Sequence, residues 1–324
     1  MNRAGQAHSA HWMARAALAC LILVSGGCGS RANLPADIDP SEIEPALISP
    51  PASSVTLALL GDVMLGRDVH PDAETFAYLE PFLTSADLAL ANLESPLTTS
   101  PVQTESPYAL CAPPENVKYL VDAGFDLLAL ANNHHLDCGP AGLIETQSTL
   151  TDAGLGFIGP DPEPVYRSIK GIRLAFLAFD AISEFDLEAA VQAVQSARES
   201  GTLVVVSMHW GMEYQSGASA SQKQIAQALA EAGATLIWGH HPHVLQPAEW
   251  INDGKTLLFY SLGNALFDQY GLESTRRSAL VIVTLDSKGI QEFSVVPFSI
   301  DYRNSRVMKA EQADAQRILQ YFTP

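Results

Sequence analysis

Three histidines lie close together directly after a run of apolar residues. In the segment "TLIWGHHPHVLQP", residues 235–247, His240, His241 and His243 follow a strand candidate. Fold stability alone does not require clustered imidazoles at such a place, whereas imidazole is a common ligand of Zn, Fe and Mn ions. A metal site needs further ligands, and these must come from other parts of the chain.

Polar residues follow other strand candidates in the same way. In an open α/β sheet, the carboxyl ends of parallel strands share one edge, where ligands bind. The loops after these strands are therefore predicted to meet in one pocket. Taken singly, each residue is also compatible with a helix cap, a turn or a hydrogen-bonded loop position. The residues concerned are Asp62 after 55–60, Glu94 after 88–92, Asn133 and His134 after 125–131, and His209 after 202–208.

Carboxylate, imidazole and amide oxygen together form a set of hard to borderline donors. Such a set suits Mn, Fe or Zn, and it suits Mg less well because of the imidazoles. The chain has no cysteine pair with the spacing of a structural zinc site. The number of candidate ligands predicts a site for two divalent ions, about 3.5–4 Å apart and bridged by a shared carboxylate.

From residue 55 onward, short apolar runs alternate with helical patterns, which predicts an α/β layered fold. The strand candidates are 55–60, 88–92, 125–131, 173–179, 202–208, 234–239, 256–262, 279–285 and 291–300. The helix candidates are 114–124, 139–154, 186–201 and 219–233, and several of them end in Gly. The last strands follow one another without helices, so part of the sheet is predicted to be antiparallel. The pattern indicates one domain, 55–310, followed by a short amphipathic tail, 311–324.

The N-terminal segment has the pattern of an export signal. Arg3 and Arg15 accompany a short apolar stretch, and Cys28 follows small residues as in a bacterial lipobox. This predicts a lipoprotein signal peptide over 1–27 and lipid attachment to Cys28, with an ordinary signal peptide and an incidental cysteine as the alternative. Residues 28–54 are rich in Pro, Ser and acids, which indicates a disordered tether. We therefore expect an extracytoplasmic lipoprotein, anchored to a membrane at the cell surface or in the periplasm.

Charge and cysteine content narrow the possible partners. The formal net charge of −18 argues against nucleic acid as a partner. A locally bound cation would still attract an anionic substrate. Two cysteines remain in the predicted domain, Cys111 and Cys138. In an exported protein they either form a disulfide or stay as free thiols, and their spacing does not distinguish the two states.

Seven motifs, in this order along the chain, resemble those of the CapA family, which is associated with capsular poly-γ-glutamate synthesis. They are "GDVMLGR", "NLESPLT", "CAPPENV", "ANNHHLDCGPAGL", "HWGMEY", "GATLIWGHHPHVLQP" and "FYSLGNALFDQ". The resemblance covers about 55–270, nearly all of the predicted domain. That family is in turn similar to calcineurin-like metallophosphoesterases. The resemblance therefore implies a metallophosphoesterase-like, four-layer α/β/β/α sandwich with mixed sheets.

The resemblance also implies roles for individual residues. It implies that Glu94 takes the bridging place and that His134 is the catalytic acid or a phosphate contact. Arg67 and Glu213 are predicted to contact substrate, with a purely structural role as the alternative. The implied metal ligands are Asp62, Glu94, Asn133, His209, His241 and His243.

Two positions depart from the phosphoesterase pattern. Met64 stands where the first Asp-x-His motif has its histidine, which weakens one metal position. The closing Gly-His-x-His motif carries one extra residue here, so His240 and His241 compete for one ligand role. The fold is therefore predicted more firmly than phosphoesterase chemistry.

The resemblance implies a protein that acts in synthesis or export of an anionic surface polymer, through metal-assisted hydrolysis or transfer at a phosphorus or carbonyl centre. The sequence has no G-x-S-x-G elbow and no Walker A loop, so neither serine-triad hydrolysis nor nucleotide-driven ligation is supported. One alternative is a non-catalytic accessory that binds the polymer or its membrane synthase and keeps a vestigial metal site. Another is a general extracytoplasmic phosphoesterase unconnected with capsule.

Overall fold

A computed structural model describes residues 54–105, 107–198 and 201–323 of the chain. The predicted signal peptide, the lipidation site Cys28 and the tether up to residue 53 lie outside the described residues. Among the described residues, no helix combines the length and the apolar character that crossing a membrane requires.

The strands are longer than the sequence predicts at several ends, and five further strands join them. They are β1 (Val55–Val63), β2 (Leu88–Leu93), β3 (Leu127–Ala129), β4 (Gly156–Ile158), β5 (Val165–Ile169), β6 (Ile172–Asp180), β7 (Leu203–His209), β8 (Ala234–His240), β9 (Leu245–Ile251), β10 (Thr256–Leu262), β11 (Asn264–Leu266), β12 (Arg277–Asp286), β13 (Gly289–Asp301) and β14 (Arg306–Lys309). The α-helices are α1 (Glu80–Ser85), α2 (Val117–Ala123), α3 (Gly139–Asp152), α4 (Leu187–Arg198), α5 (Ala220–Ala232) and α6 (Gln312–Leu319). Short 3₁₀ helices span Pro114–Asn116, Glu273–Arg276 and Gln320–Phe322.

The strands form two mixed sheets. The first sheet has the order β14-β13-β12-β1-β2-β3-β4, and β11 pairs with the end of β1. Its strands β1 to β4 are parallel, whereas β12, β13 and β14 run antiparallel. The second sheet has the order β5-β6-β7-β8-β10-β9, with parallel central strands and antiparallel strands at both edges.

The two sheets pack face to face, with helices on both outer faces. Successive residues of β1 point to opposite faces because a strand has a period of two. Leu57 and Leu59 therefore join the core between the sheets, whereas Ala58 and Leu60 pack beneath the helical layer of α1, α2 and α3. Helices α4 and α5 cover the outer face of the second sheet. The fold is thus the predicted α/β/β/α sandwich.

Helix α5 shows how local sequence sets an element and its orientation. Ser219 and Gln222 form a capping box at its N-terminus, which satisfies two backbone donors. Gly233 ends it in the left-handed conformation, with φ 114°. Ile225 and Leu229 are four residues apart, so they share one face and pack into the outer core of the second sheet. This packing holds β7 and β8, which carry site residues at their ends.

Two further features lie outside the central sheets. Cys111 and Cys138 form a disulfide, which decides between the two states that the sequence left open. The segment predicted as a C-terminal tail contains α6 and a 3₁₀ turn. Its residues Ala315, Ile318 and Phe322 are buried against the core between the sheets, so this segment packs as part of the domain.

Candidate metal centre

The carboxyl ends of strands from both sheets meet at one edge of the sandwich. Strands β1 and β2 and the loop after β3 bring oxygen donors from the first sheet, while β7 and the loop after β8 bring imidazoles from the second. The structure places all six residues predicted as metal ligands at this edge. Asp62, Glu94, His209, His241 and His243 are buried, and Asn133 is half-buried.

Glu94 lies at the centre of the group. Its side chain is fully buried, and neither carboxylate oxygen has a hydrogen-bond partner. A buried carboxylate without a partner is costly, unless a cation neutralises it. Three imidazole Nε2 atoms face its Oε1: that of His209 at 3.7 Å, and those of His134 and His243 at 3.9 Å. A carboxylate without a hydrogen-bond partner that faces three imidazole nitrogens fits a site for a divalent cation.

Asp62 and His243 form one half of the group. The Asp62 Oδ2 atom accepts a hydrogen bond from the His241 backbone N–H at 3.1 Å and lies 3.4 Å from His243 Nδ1. The same Nδ1 lies 2.9 Å from the amide oxygen of Asn264. Asn92 donates to Asp62 Oδ1 at 2.8 Å, which fixes the orientation of that carboxylate.

Asn133, His209 and His241 form the other half. The His209 Nε2 atom lies 2.7 Å from Asn133 Oδ1 and 3.2 Å from His241 Nδ1. Its Nδ1 atom faces Asn92 Nδ2 at 3.4 Å. The His209 Nε2 atom therefore lies within hydrogen-bond distance of one ligand atom from each of two other segments, Asn133 Oδ1 and His241 Nδ1.

The backbone around the closing histidines has unusual conformations. His241 and His243 adopt positive φ angles of 89° and 57°, which residues other than glycine rarely take. Such positions cost free energy and persist only where the surroundings enforce them. Here the hydrogen bond from the His241 N–H to Asp62 and the burial of both rings provide that enforcement.

Two glycines allow the strands to approach closely at this edge. A Cβ atom on Gly61 would lie 1.8 Å from the Gly263 carbonyl oxygen, and one on Gly239 would lie 2.0 Å from the Tyr260 carbonyl oxygen. Any side chain would force the neighbouring backbone away. Gly61 directly precedes Asp62, and Gly239 directly precedes the three-histidine segment, so the close approach at both glycines sets where these residues lie.

The pKa values of the two buried carboxylates, Glu94 and Asp62, are shifted in opposite directions. Burial, together with the charge of Asp62, raises the pKa of Glu94 well above its usual range. Burial also works to raise the pKa of Asp62, but the hydrogen bond and charge of His243 outweigh it, and the pKa is lowered. Although burial opposes it, the nearby carboxylates of Glu94 and Asp62 raise the pKa of His243 to about 9. Asp62 is thus stabilised as the anion by His243, whereas ionisation of Glu94 is disfavoured unless further positive charge lies beside it.

Three other imidazoles, those of His209, His240 and His241, are held neutral, which is the form that binds metal. Burial, reinforced by His241, lowers the pKa of His209 well below its usual range. Burial, reinforced by His243, lowers the pKa of His241 to about 4. Burial alone lowers the pKa of His240 to about 4, against the opposing charge of Asp62.

The structure separates His240 from His241. Ligand atoms of Glu94, His241 and His243 all lie within 4.8 Å of one another, the only such group of three or more His, Cys, Asp or Glu residues in the described part of the chain. His240 instead turns its Nε2 atom to Ser207 Oγ at 3.1 Å, although its Nδ1 atom stays 3.8 Å from Asp62. Geometry therefore favours His241 over His240 for the ligand role.

Met64 does not reach into this group of ligands. It is fully buried in the core under the first helical layer, and its sulfur accepts a hydrogen bond from the Gly66 backbone N–H at 3.1 Å. The position that carries a histidine in the phosphoesterase motif is thus a packing position here.

His134 has a partner on each side of its ring. Its Nδ1 atom lies 2.8 Å from Asp137 Oδ2, while its Nε2 atom faces Glu94. The same Asp137 oxygen accepts from the Leu110 backbone N–H at 2.8 Å. Because Cys111 and Cys138 are the direct neighbours of these two residues, the disulfide fastens the loop that orients His134.

Arg67 and Glu213 lie outside the buried group. Arg67 pairs with Asp268, and its guanidinium lies 5.5 Å from the Phe267 ring centroid. That ring packs against His243 at 4.7 Å, so Arg67 is one ring removed from the centre. Glu213 is exposed beside the centre, and its charge acts on Glu94. Their predicted contact with substrate stays a prediction.

The structure adds residues to those selected from the sequence. Asn92 is already evident in the sequence beside Glu94, at the end of the strand candidate 88–92, whereas Asp180 directly follows the candidate 173–179 and was missed although the same rule points to it. Asp180 pairs in register with His209 and has one buried oxygen without a hydrogen-bond partner. Asn132, which donates to Asn92 at 3.1 Å, directly follows the strand candidate 125–131, so the same rule points to it. Asn264 beside His243 lies in the motif "FYSLGNALFDQ", where the sequence suggests a contact to substrate or to a ligand, with a structural role as the alternative. Asp137 beside His134 has no such signal.

Two mixed sheets between helical layers form a metallophosphoesterase-like fold, and carboxylates and imidazoles gather at one of its edges. Solved structures share this fold. A hypothetical protein from Thermus thermophilus has a TM-score of 0.54 at 16% identity and covers 75% of this chain and 99% of its own. A phosphatase from Mycoplasma pneumoniae has a TM-score of 0.52 at 13% identity and covers 78% of this chain and 99% of its own. At these identities the likeness concerns the fold alone.

Sequence comparison defines the family. The family described as "Bacterial capsule synthesis protein PGA_cap" matches residues 56–269. The "PGA biosynthesis protein CapA" of Bacillus subtilis (strain 168) is 33% identical over 298 residues, 83% of this chain and 78% of that protein. The "Capsule biosynthesis protein CapA" of Bacillus anthracis is 33% identical over 280 residues, 76% of this chain and 67% of that protein. The chain therefore belongs to the PGA_cap family of bacterial capsule synthesis proteins, as its motifs predict.

Proposed function

We propose that this protein acts in synthesis or export of an anionic surface polymer of the poly-γ-glutamate type, through a metal-dependent hydrolase- or transferase-like site. The observation that carries the chemical part is the buried, unpartnered Glu94 carboxylate, which faces three imidazoles. Membership of the capsule synthesis family and similarity to the two CapA proteins support the biological part.

The donor set suggests which residues would hold metal. Asp62 and His243 would bind on one side, Asn133, His209 and His241 would bind on the other, and Glu94 would be shared. Mn, Fe and Zn suit these donors, and two divalent ions agree with the two halves of the group. Bound metal would supply Lewis acidity and activate water at neutral pH.

The protein's own residues would orient the substrate and move a proton. The Asp137 carboxylate lies 2.8 Å from His134 Nδ1 and orients the ring so that Nε2 faces the centre, where the imidazolium form would donate its Nε2 proton to a leaving group. Arg67, which is exposed beside the centre, would contact an anionic group of the substrate. Burial of the donor residues limits access of bulk water and strengthens these interactions.

A non-catalytic accessory role is the second candidate, and Met64 is the observation that favours it. A missing histidine in the first motif would weaken one metal position and leave a site that binds without turnover. A relative from Mycobacterium tuberculosis, 26% identical over 286 residues, is named a probable polyglutamine synthesis accessory protein.

Metal content and activity of the same protein samples separate the two candidates. Purified protein would be loaded in turn with Mn, Fe(II) and Zn, and metal would be counted by elemental analysis. Hydrolysis of a chromogenic phosphodiester and of poly-γ-glutamate would then be measured. We expect bound metal and turnover in the wild type, and loss of both in His209→Ala. His70→Ala is the matched control, since His70 is an exposed imidazole outside the centre.

Each outcome decides between the candidates. Bound metal with no turnover, together with polymer binding, favours the accessory role. A wild-type protein that retains none of the three metals rejects the metal-dependent site altogether.

We also propose that a lipid on Cys28 anchors the protein to an extracytoplasmic membrane surface, where it meets the polymer or its synthase. The proposal rests on the sequence of the N-terminal segment. Incorporation of labelled fatty acid into the wild type and its loss in Cys28→Ser would support the anchor. Equal labelling of both proteins, or no labelling of the wild type, would exclude it.

A further inference from the structure

A patch of two arginines and two tyrosines lies beside the candidate metal centre. It consists of Tyr270, Arg276, Tyr302 and Arg303, and is called the arginine–tyrosine patch below. The rings of Tyr270 and Tyr302 have centroids 4.8 Å apart. The guanidinium carbons of Arg276 and Arg303 lie 5.1 and 5.9 Å from the Tyr302 centroid. Two cations therefore flank one aromatic ring.

Neither arginine of the patch is neutralised by a carboxylate of the described residues. Arg277, Arg306 and Arg317 each form ion pairs with Asp or Glu. Arg276, by contrast, donates only to the Ile300 carbonyl oxygen at 3.3 Å, and its side chain is half-buried. Arg303 is exposed. In a chain with a net charge of −18, two neighbouring arginines without ion pairs leave donors available for an external anion.

The patch is continuous with the metal centre. The His243 ring packs on Phe267, and Arg67 lies over the same Phe267 ring. Arg67 pairs with Asp268, and the charges of Asp268, Asp68 and Arg67 all act on the Tyr270 hydroxyl. Tyr270 then contacts Tyr302, and so leads to the two arginines. A chain of neighbouring side chains thus leads from the buried His243 and Phe267, past the exposed Arg67, to the patch.

Rigid aromatic surface with flanking guanidinium groups suits an extended chain that carries carboxylates. Planar guanidinium binds carboxylate with two parallel hydrogen bonds, and tyrosine rings offer apolar faces to methylene groups. The charges of Asp68 and Asp268 act on the Tyr270 hydroxyl, whereas both arginines without ion pairs lie at the Tyr302 ring, so the anionic groups would be held at Tyr302.

We propose that the arginine–tyrosine patch binds a segment of a carboxylate-bearing polymer, while a neighbouring segment of the same chain reaches the metal centre. This inference rests on the proposed function and names where its polymer would be held. Several weak contacts along one chain add to a higher affinity than any single carboxylate achieves. The overall negative charge of the protein disfavours unspecific binding of polyanions, so binding should depend on this patch.

The test compares two double variants with the same change in charge. Arg276→Gln with Arg303→Gln removes the cations of the patch. Arg167→Gln with Arg173→Gln removes two exposed arginines from β5 and β6, in the other sheet, where neither has an ion pair among the described residues. Binding of a short poly-γ-glutamate fraction to the full protein would be measured by calorimetry at low and high salt.

We expect the patch variant to bind the polymer about tenfold or more weakly, which corresponds to the loss of two charge-assisted contacts. The control variant should bind like the wild type, and free glutamate should compete poorly. Equal affinity of the patch variant and the wild type would overturn the inference. Equal weakening in both variants would also overturn it, because the effect would then come from net charge.

Two further readouts keep this inference separate from the proposed function. Metal content and phosphodiester hydrolysis of the patch variant should match the wild type, because neither arginine belongs to the metal centre. Patch-dependent polymer binding by a protein without metal would reject the metal-dependent site and support the patch. Equal binding of a single-stranded oligonucleotide would mean a general anion site, and would reject a carboxylate-specific surface.

Discussion

The two sheets of the sandwich contribute different chemistry to the same edge. The first sheet supplies oxygen donors and the second supplies most of the imidazoles. The oxygens belong to Asp62, Glu94 and Asn133, and the nitrogens belong to His209, His241 and His243. Neither sheet by itself holds a balanced set of ligands. The candidate centre therefore exists only because the two sheets pack with these edges aligned.

Contacts between the sheets fix this alignment at the site itself. The His241 backbone N–H of the second sheet donates to Asp62 of the first, and Asn92 of the first faces His209 of the second. Deeper in the sandwich, the Trp238 indole N–H donates to the Leu60 carbonyl oxygen at 3.1 Å. Stability of the interface between the sheets and geometry of the centre should therefore change together.

Removal of the indole should have the largest effect. Trp238 is fully buried between the sheets, so Trp238→Ala should lower the free energy of unfolding by about 3–5 kcal/mol. Urea denaturation followed by circular dichroism measures this change. Trp238→Phe keeps much of the apolar contact and removes only the donor to Leu60, and should cost about 1–3 kcal/mol. Similar values for both variants would show that the hydrogen bond, not the packing, joins the sheets here.

Loss of the disulfide, which lies on the oxygen-donor side, should lower the free energy of unfolding. The bond closes a loop of sequence separation 27, and Cys111→Ala with Cys138→Ala should cost about 2–4 kcal/mol of unfolding free energy. Reducing agent should lower the stability of the wild type towards that of the variant and leave the variant unchanged. A wild type that is insensitive to reduction and as stable as the variant would contradict the prediction.

Asn92 tests the link between the two halves of the centre. It orients Asp62 and faces His209 without being a predicted ligand itself. Asn92→Ala should therefore weaken metal binding by about 10–100-fold, as is usual for residues that orient ligands. Competition with a chelator measures the affinity. Asn304→Ala, in an exposed turn, is the control and should leave it unchanged.

Replacement of Glu145, which lies on the side of the first sheet, should have the smallest effect on stability. It accepts hydrogen bonds from Thr98, from the Thr99 N–H at 3.1 Å and from the Thr99 hydroxyl at 2.9 Å. Chiefly through the bond from Thr98, these donors lower the pKa of Glu145 from 4.5 to about 2. Because the pKa is lower in the folded state, the carboxylate stabilises the fold above pH 4.5, and this contribution is lost as the pH falls towards 2.

Stability curves of Glu145→Gln and the wild type check this pH dependence. The variant should be slightly less stable at neutral pH, and the difference should vanish on acidification. A difference that stays constant across the acid range would mean that the hydrogen bonds of Glu145 do not depend on its charge.

Elements with a strong local pattern could be predicted from the sequence. β7 is a continuous apolar run and α5 has a capping box, an apolar face and a terminal glycine. Elements whose sequence pattern is weak, or depends on distant parts of the chain, could not be predicted. β9 contains Pro247, whose missing N–H argues against a strand in the sequence, but β9 lies at a sheet edge, where this residue is tolerated. β4 and β11 have three residues each, too few to show any periodicity.

The order of motifs along this chain determined its family, its layered fold and the residue types available for metal binding, because strand and helix periodicities and short motifs are local properties. Only the tertiary structure decided which of them meet. It paired Cys111 with Cys138, turned His240 away from the group that contains His241, and brought the His241 backbone N–H of the second sheet to Asp62 of the first. These outcomes depend on how distant loops and the two sheets pack, and no local pattern encodes a distance between residues far apart in the chain.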